Sequence, residues 1–534
     1  MSKITITKPP LRWLFGGFGF HNSEATMPAL MSDKFKNEIA IKTFNEICPT
    51  FSRVFAVYAD WTKEAMDAFA DYYDLTFRKA DTLIYAVPGR LPYITDEENI
   101  DEYCEKIAEK LDYLINIRNC VKIRYYCVTN ELSVGNTYCW FDKNLELFKK
   151  YHEGLYKAFR RHNLDIGLLA TDVSGADKFN QIDWAVQNMD EITHTYCAHL
   201  YNWNSNTPPG SLNTYDYCYN LFESAVKTAH KKEKRFILGE FGDKTQKMLC
   251  NYPMRNDSQF AVDYPEMEGI YALSLAEMTL AAINSGCFAA AYWTMLDYPD
   301  PIIRENFDTV EGKARYDAVR FSGHGLEIRY NKNGLIRWCD EEKDYSSRAP
   351  LYTLGYLAKY FKKGSRVFDS KWDNEYLRCS AVSDDQGNVS IAIINLKDEK
   401  VDTQFSMEYN CNQNARMYIY EADNVPYNKF NDLQPYSTLV DLNDENLTLS
   451  LPPKSFVLLT TDYVNRIPSK IRHLKIRKDK LEFSPCKDKE HCYYRIFKNG
   501  EQIASTVALY TEITDPKAKY TVLSVDKWGN TRKQ

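Results

Sequence analysis

Long apolar runs are missing from this 534-residue chain: none approaches the roughly 18 residues that a membrane span requires. The opening stretch, MSKITITKPPLRW, has no basic-then-apolar leader pattern. The 14 cysteines form no C-x-x-C pair and no tight cluster with histidine, so there is no zinc spacing. Free thiols in a reducing compartment are expected instead. Together these absences lead to the expectation of a cytoplasmic protein with no membrane contact. Surplus positive charge is lacking as well. With 67 Lys+Arg against 73 Asp+Glu the net charge is −6, which argues against nucleic acid as a partner. No glycine-rich phosphate loop opens a helical segment, which disfavours a doubly wound nucleotide-binding sheet.

Aromatic residues, by contrast, make up 14% of the chain and include 39 Tyr. Aromatic faces stack on the C–H faces of sugars, although the same composition also builds large cores. A chain this long exceeds one hydrophobic core, and its pattern changes twice. Up to residue 364, short β-rich runs alternate with runs of helical period. The strand candidates are 12–20, 52–59, 82–89, 121–129, 165–172, 194–201, 235–242 and 287–296. Most are continuous apolar runs, as in parallel strands covered on both faces. Between them, 96–118 carries Ile100, Tyr103, Ile107, Leu111 and Leu114 on one helical face, and 143–162 carries Phe148, Tyr151, Leu155 and Phe159. Eight βα units predict an α/β fold, a (β/α)8 TIM barrel over residues 1–364. Alternating strands without helical period predict a β-sandwich over 365–465. A last module, 466–534, has turns at Asn499-Gly500 and Gly529-Asn530 in a fibronectin type III- or immunoglobulin-like pattern. Its basic run (Lys470, Arg472, Lys475, Arg477, Lys478, Lys480) reads as a solvated strand face. Both β modules read as stabilisers or spacers.

Active sites of such barrels lie at the C-terminal ends of the strands. Glu131 follows the fourth strand in Thr129-Asn130-Glu131-Leu132, and Glu240 follows the seventh in Gly239-Glu240-Phe241-Gly242. Either context alone is commonplace, but their joint placement is specific. Two carboxylates across one mouth fit glycoside hydrolysis, where one protonates the departing oxygen and the other attacks or activates water. Asp172 and Asp297, at the ends of strands five and eight, also face the mouth and read as ordinary loop acids. His21, past strand one, is a candidate sugar contact, and Trp203 and Trp140 are candidate stacking platforms. A metal-dependent hydrolase would want His-x-His after strand one, where only His21 stands. Neither metal nor cofactor is expected.

On Asn130-Glu131 after strand four and Glu240 after strand seven, residues 12–362 resemble glycoside hydrolase clan A. The barrel-plus-sandwich families such as 39, 30 and 51 are the nearest in pattern. The resemblance implies Glu131 as general acid/base and Glu240 as nucleophile. It also implies that Tyr201, in His199-Leu200-Tyr201, hydrogen-bonds the nucleophile while His199 lines the subsite. Trp293 matches the aromatic floor under the −1 sugar, Arg53 the guanidinium that keeps the nucleophile ionised, and Asn130 the contact to the sugar 2-hydroxyl. Thr129 and Leu132 depart from the Trp-Asn-Glu-Pro of many members. The implied activity is retaining hydrolysis of a β-linked oligosaccharide or glycoside. Insertions at 243–270 and 297–348 could wall off one end and favour exo action. A transglycosidase using the same carboxylates and a silent carbohydrate-binding scaffold remain alternatives, the second disfavoured because both carboxylates are present. The sugar and the oligomeric state stay open.

Overall fold

The computed structural model describes residues 1–7, 14–88, 99–132, 144–202, 211–243, 265–301, 328–331, 333–339 and 343–532. Eight parallel strands close into a barrel in chain order. They are β1 (Gly17–His21), β2 (Phe51–Phe55), β3 (Leu83–Val87), β4 (Ile123–Tyr126), β5 (Gly167–Ser174), β6 (Thr195–Asn202), β7 (Arg235–Asp243) and β8 (Ala289–Tyr292). Every residue of β1, β2 and β8 is buried, which is why these segments read as unbroken apolar runs. Several strands stop short of the apolar stretch that announced them, because the run continues into the turns above the barrel. Helix Leu145–Arg161 begins where the Asn144 side chain accepts the Leu147 N–H. Helix Ile100–Asp112 passes into a single π turn, Tyr113–Ile117, so the expected helix ends in a wider coil.

A six-stranded sheet follows, in the order Arg366–Val367, Leu377–Ser383, Val389–Asn395, Ser455–Thr460, Ala415–Glu421 and Thr438–Val440. Its period-two alternation serves two cores at once. Cys379, Ala381, Ile391, Ile393, Val457 and Leu459 point into the sandwich. Val382, Ala392, Ile394, Phe456 and Leu458 point the other way and join the barrel core. The facing sheet has the order Ser370–Trp372, Ser2–Ile6, Val401–Met407 and Thr448–Leu451. Residues 2–6, which sequence reading grouped with the barrel, thus form an inner strand of the sandwich. Ile4 and Ile6 enter its core.

The last module holds two three-stranded sheets around Leu481, Phe483, Tyr494, Ile496, Ala504 and Val522. Its hairpin turns at Asn499 (φ 52) and Gly500 (φ 91), between paired Lys498 and Glu501. Both central residues have positive φ, as a two-residue turn of this hand requires. The module docks on the other two through a buried charged cluster. Lys42 Nζ lies 2.7 Å from Glu46 Oε2 and 2.6 Å from Asp432 Oδ1. Arg495 Nε lies 3.0 Å from Asp432, and the Tyr493 hydroxyl donates to Glu46 at 3.0 Å. Among the described residues, no helix is long and apolar enough to cross a membrane, and the twelve cysteines are free thiols.

Candidate active site

Strand register brings the polar residues of the barrel mouth into one layer. His21 on β1 is level with Arg53 on β2, and Arg53 with Tyr85 on β3. On the far side His199 on β6 is level with Glu240 on β7. Two irregularities aim side chains into this layer. The β5–β6 register shifts between Thr171 and Val173, at Asp172, whose φ is 58. The β6–β7 register shifts at Ala198/His199, passing over Gly239. Bulges of this kind re-aim the residue they carry. Gly239 is required there because a Cβ would stand 2.9 Å from His199 Nε2 and 3.2 Å from Asp172 Oδ1.

Asp172 is the hub. It is fully buried and accepts from Arg53 Nη2 at 2.8 Å and from the Tyr85 hydroxyl at 2.6 Å. His199 Nε2 meets Oδ1, the oxygen that Tyr85 also reaches, at 2.8 Å, and the Glu131 backbone N–H reaches Oδ2, the oxygen that Arg53 holds, at 3.4 Å. Arg53 also donates from Nη1 to Glu240 Oε1 and from Nη2 to Asn130 Oδ1 at 2.6 Å. The Tyr201 hydroxyl donates to Glu240 Oε2 at 2.6 Å. Glu131, in a left-handed conformation with φ 50, places Oε1 3.1 Å from His199 Nδ1. Trp293 closes the layer beside His21, with ring centroids 4.4 Å apart.

Burial by itself favours neutral groups, but opposite charges override it here. His199 is lifted to about 10 because the carboxylates of Asp172 and Glu240 outweigh its desolvation, so the ring is an imidazolium at neutral pH. Asp172, despite its burial, is held well below the usual carboxylate range by His199, Arg53 and Tyr85. Burial pushes Glu240 up, with Glu131 adding to the rise and Arg53, His199 and Tyr201 opposing it. Both Glu240 oxygens accept strong donors, so a proton on either would displace one of them.

The sequence-chosen residues divide into two groups. Glu131, Asn130, Glu240, Tyr201 and Trp293 retain solvent-accessible surface, whereas Arg53, His199 and His21 have none. His21, expected as a sugar contact, is instead packed between Phe55 and Trp293 with Nδ1 3.2 Å from Arg53. Asp297 does not reach the mouth either. It forms a buried ion pair with Arg348 at 2.6 Å and accepts the Gly334 N–H, bracing the chain beyond β8. Trp203 and Trp140 lie outside the described residues, as does most of the two insertions. Tyr85 was not singled out by sequence reading, since a tyrosine inside a β-rich run carries no signal of its own.

Glu131, His199 and Glu240 each bring one potential ligand atom within 4.8 Å of the others. His199, however, turns one nitrogen to Glu131 and the other to Asp172, which keeps a proton on both and leaves no lone pair for a cation. The set fits proton sharing, not metal binding.

No family model matches the sequence, and no curated protein does. Among solved structures, the chain is similar to the GH51 arabinofuranosidase from Xanthomonas axonopodis pv. citri, with 14% identity and a TM-score of 0.58 over 86% of this chain and 100% of that one. It is similar to a GH30 endoxylanase from Clostridium papyrosolvens C71, with 13% identity and a TM-score of 0.57 over 86% and 99%. The alpha-L-arabinofuranosidase from Thermotoga maritima aligns at 11% identity and a TM-score of 0.55 over 86% and 100%. At these identities the shared property is the fold, a closed parallel barrel followed by a β-rich region.

Proposed function

We propose that this chain is a retaining glycoside hydrolase that cleaves a β-linked oligosaccharide or glycoside by double displacement. One observation carries the reading: an oxygen of Glu131 and an oxygen of Glu240 lie within 4.8 Å of each other. Retaining enzymes hold the two carboxyl groups about 5–5.5 Å apart, whereas inverting enzymes leave about 6.5–9.5 Å for a water molecule. In the first step Glu240 attacks the anomeric carbon while the glycosidic C–O bond breaks. The Glu131 proton passes to the departing oxygen. Esterification removes the charge of Glu240, so Glu131 then acts as base on an incoming water, which releases the sugar. Arg53, tied to Asn130 Oδ1, fixes that amide with Nδ2 as the donor available to a sugar hydroxyl. Trp293 supplies an apolar face beside it. Twelve free thiols among the described residues support a reducing compartment as the site of action.

The names of the similar structures, an endoxylanase and arabinofuranosidases, put pentosides first in a screen of aryl glycosides. Wild type should hydrolyse at least one of them, and Glu240→Ala should not. Glu131→Ala should lose about 10²–10⁴-fold with poor leaving groups. Azide should rescue it and yield a β-glycosyl azide. If both variants keep wild-type turnover, the reading is wrong. Exo action rests on the two insertions alone and is tested by whether single sugar units leave an oligosaccharide from one end.

A further inference from the structure

Charge is divided unevenly along this chain. Residues 466–534 hold 16 Lys+Arg against 8 Asp+Glu, whereas residues 1–465 hold 51 against 65. The acidic body repels a polyanion and the last module attracts one, so such a partner is steered to one part of the surface. Within the module the cations gather on one sheet face. Lys475 stands opposite Glu482 and Arg477 opposite Lys480, and Glu482 in turn opposes Tyr510 on the third strand. Residues opposite one another share a face, and this one points outward because the alternate residues Leu481 and Phe483 enter the module core. The Ser484 N–H donates to the Arg472 carbonyl at 3.2 Å, so Arg472 lies three residues from Lys475 where Ser484 lies two from Glu482. The extra residue falls by His473, whose φ is 55, and it brings Arg472 onto the same face as Lys475.

Arg472, Lys475, Arg477 and Lys480 are all exposed there. Among the described residues, Arg472, Lys475 and Lys480 form no ion pair, and Arg477 Nε lies 3.2 Å from Glu482 Oε2. Tyr510 is 37% exposed beside them, with Lys480 Nζ 5.0 Å from its ring centre. Cations on an edge strand can serve only to keep other strands from pairing with it. That role needs neither Lys480, on the middle strand, nor Tyr510, on the far one.

We infer that this face docks a linear polysaccharide whose sugars carry carboxylate groups. The unpaired cations meet the carboxylates, Glu482 and Glu512 accept from hydroxyls, and the Tyr510 ring offers a plane to C–H faces. Nucleic acid presents a dense row of phosphates, which two interspersed carboxylates oppose. A lipid surface rewards apolar side chains, but the exposed Ile476 alternates to the opposite face. The face also lies toward the barrel mouth. The helical segment after β1 starts there at Phe35, and Asn37 in its first turn accepts the Val507 N–H at 3.1 Å, three residues before Tyr510. The choice of a polysaccharide rests on the glycosidase reading, whereas the sign of the partner's charge does not.

Native gels of the full chain, cast with sodium polygalacturonate, test the docking. Wild type should be retarded, and the retardation should fade as salt rises from about 50 to about 200 mM. The double variant Arg472→Glu/Lys475→Glu should bind about tenfold more weakly. Tyr510→Ala should lose about fivefold. Lys517→Glu/Lys519→Glu makes the same change of charge beside the Asn499 turn of the other sheet and should lose no more than about twofold. An unretarded wild type, or equal losses in the two double variants, would overturn the inference. So would firmer binding to transfer RNA, to dextran sulfate or to phosphatidylserine vesicles than to polygalacturonate. If retardation follows the expected order while no glycoside is turned over, the glycosidase reading fails and the docking stands.

Discussion

Gly239 shows how tightly single atoms are placed in the mouth. A Cβ there would press on the contact between His199 and Asp172 from 2.9 Å and 3.2 Å. Gly239→Ala should therefore displace the imidazolium from Glu131 while leaving the barrel folded. The expected loss in kcat/KM is on the order of 10²-fold, the scale associated with misplacement by about 1 Å. An unchanged kcat/KM would show that His199 does not position the acid. At this scale the sequence was partly legible. Glu131 and Glu240 were singled out because strand ends face the mouth of any such barrel, and Arg53 and Tyr201 only through the resemblance to clan A. Asp172 was read as a loop acid, because the bulge that turns it inward depends on how β5 pairs with β6. Asp297 occupies a comparable strand end, yet its partner Arg348 lies far along the chain. Pairings of that kind are fixed by tertiary structure and leave no local trace.

Secondary-structure elements were easier to foresee where one period dominates. All eight barrel strands lie on expected segments, since burial on both faces writes a continuous apolar run. The strand Ser2–Ile6 was missed because five residues with two isoleucines are too short to stand out, and its partners are distant in sequence. The Asn499-Gly500 turn was legible because few residue pairs accept positive φ at both positions. Gly500→Val places a β-branched residue at φ 91 and should destabilise the last module by about 1–2 kcal/mol. Thermal unfolding should show a lower Tm, with glycosidase turnover unchanged at low temperature. A Tm equal to wild type would mean that the turn does not govern the hairpin.

At the scale of the whole molecule, the three parts share one buried charged junction. Lys42 has no exposed surface and depends on Glu46 and Asp432, the latter shared with Arg495. Asp432→Ala would leave Lys42 to Glu46 alone and Arg495 without its paired carboxylate, at a cost of about 1–3 kcal/mol. Burial opposes ionisation of Asp432, but Lys42 and Arg495 hold it below the ordinary range. A group depressed in the folded state contributes fully above its unfolded value, about 4, and loses that contribution as pH falls through the folded one. Urea midpoints of wild type and variant should thus differ most near neutrality and converge in acid. A gap that widens on acidification would refute this account of the junction.

The inner position of Ser2–Ile6 also bears on biosynthesis. During translation this strand leaves the ribosome long before Ser370–Trp372 and Val401–Met407, the two strands that flank it, have been made. It must wait unpaired while the entire barrel is assembled, and then be threaded between neighbours that arrive last. A segment made before the barrel finds its place only after it, which exposes nascent chains stalled within the barrel to mispairing along that orphaned edge.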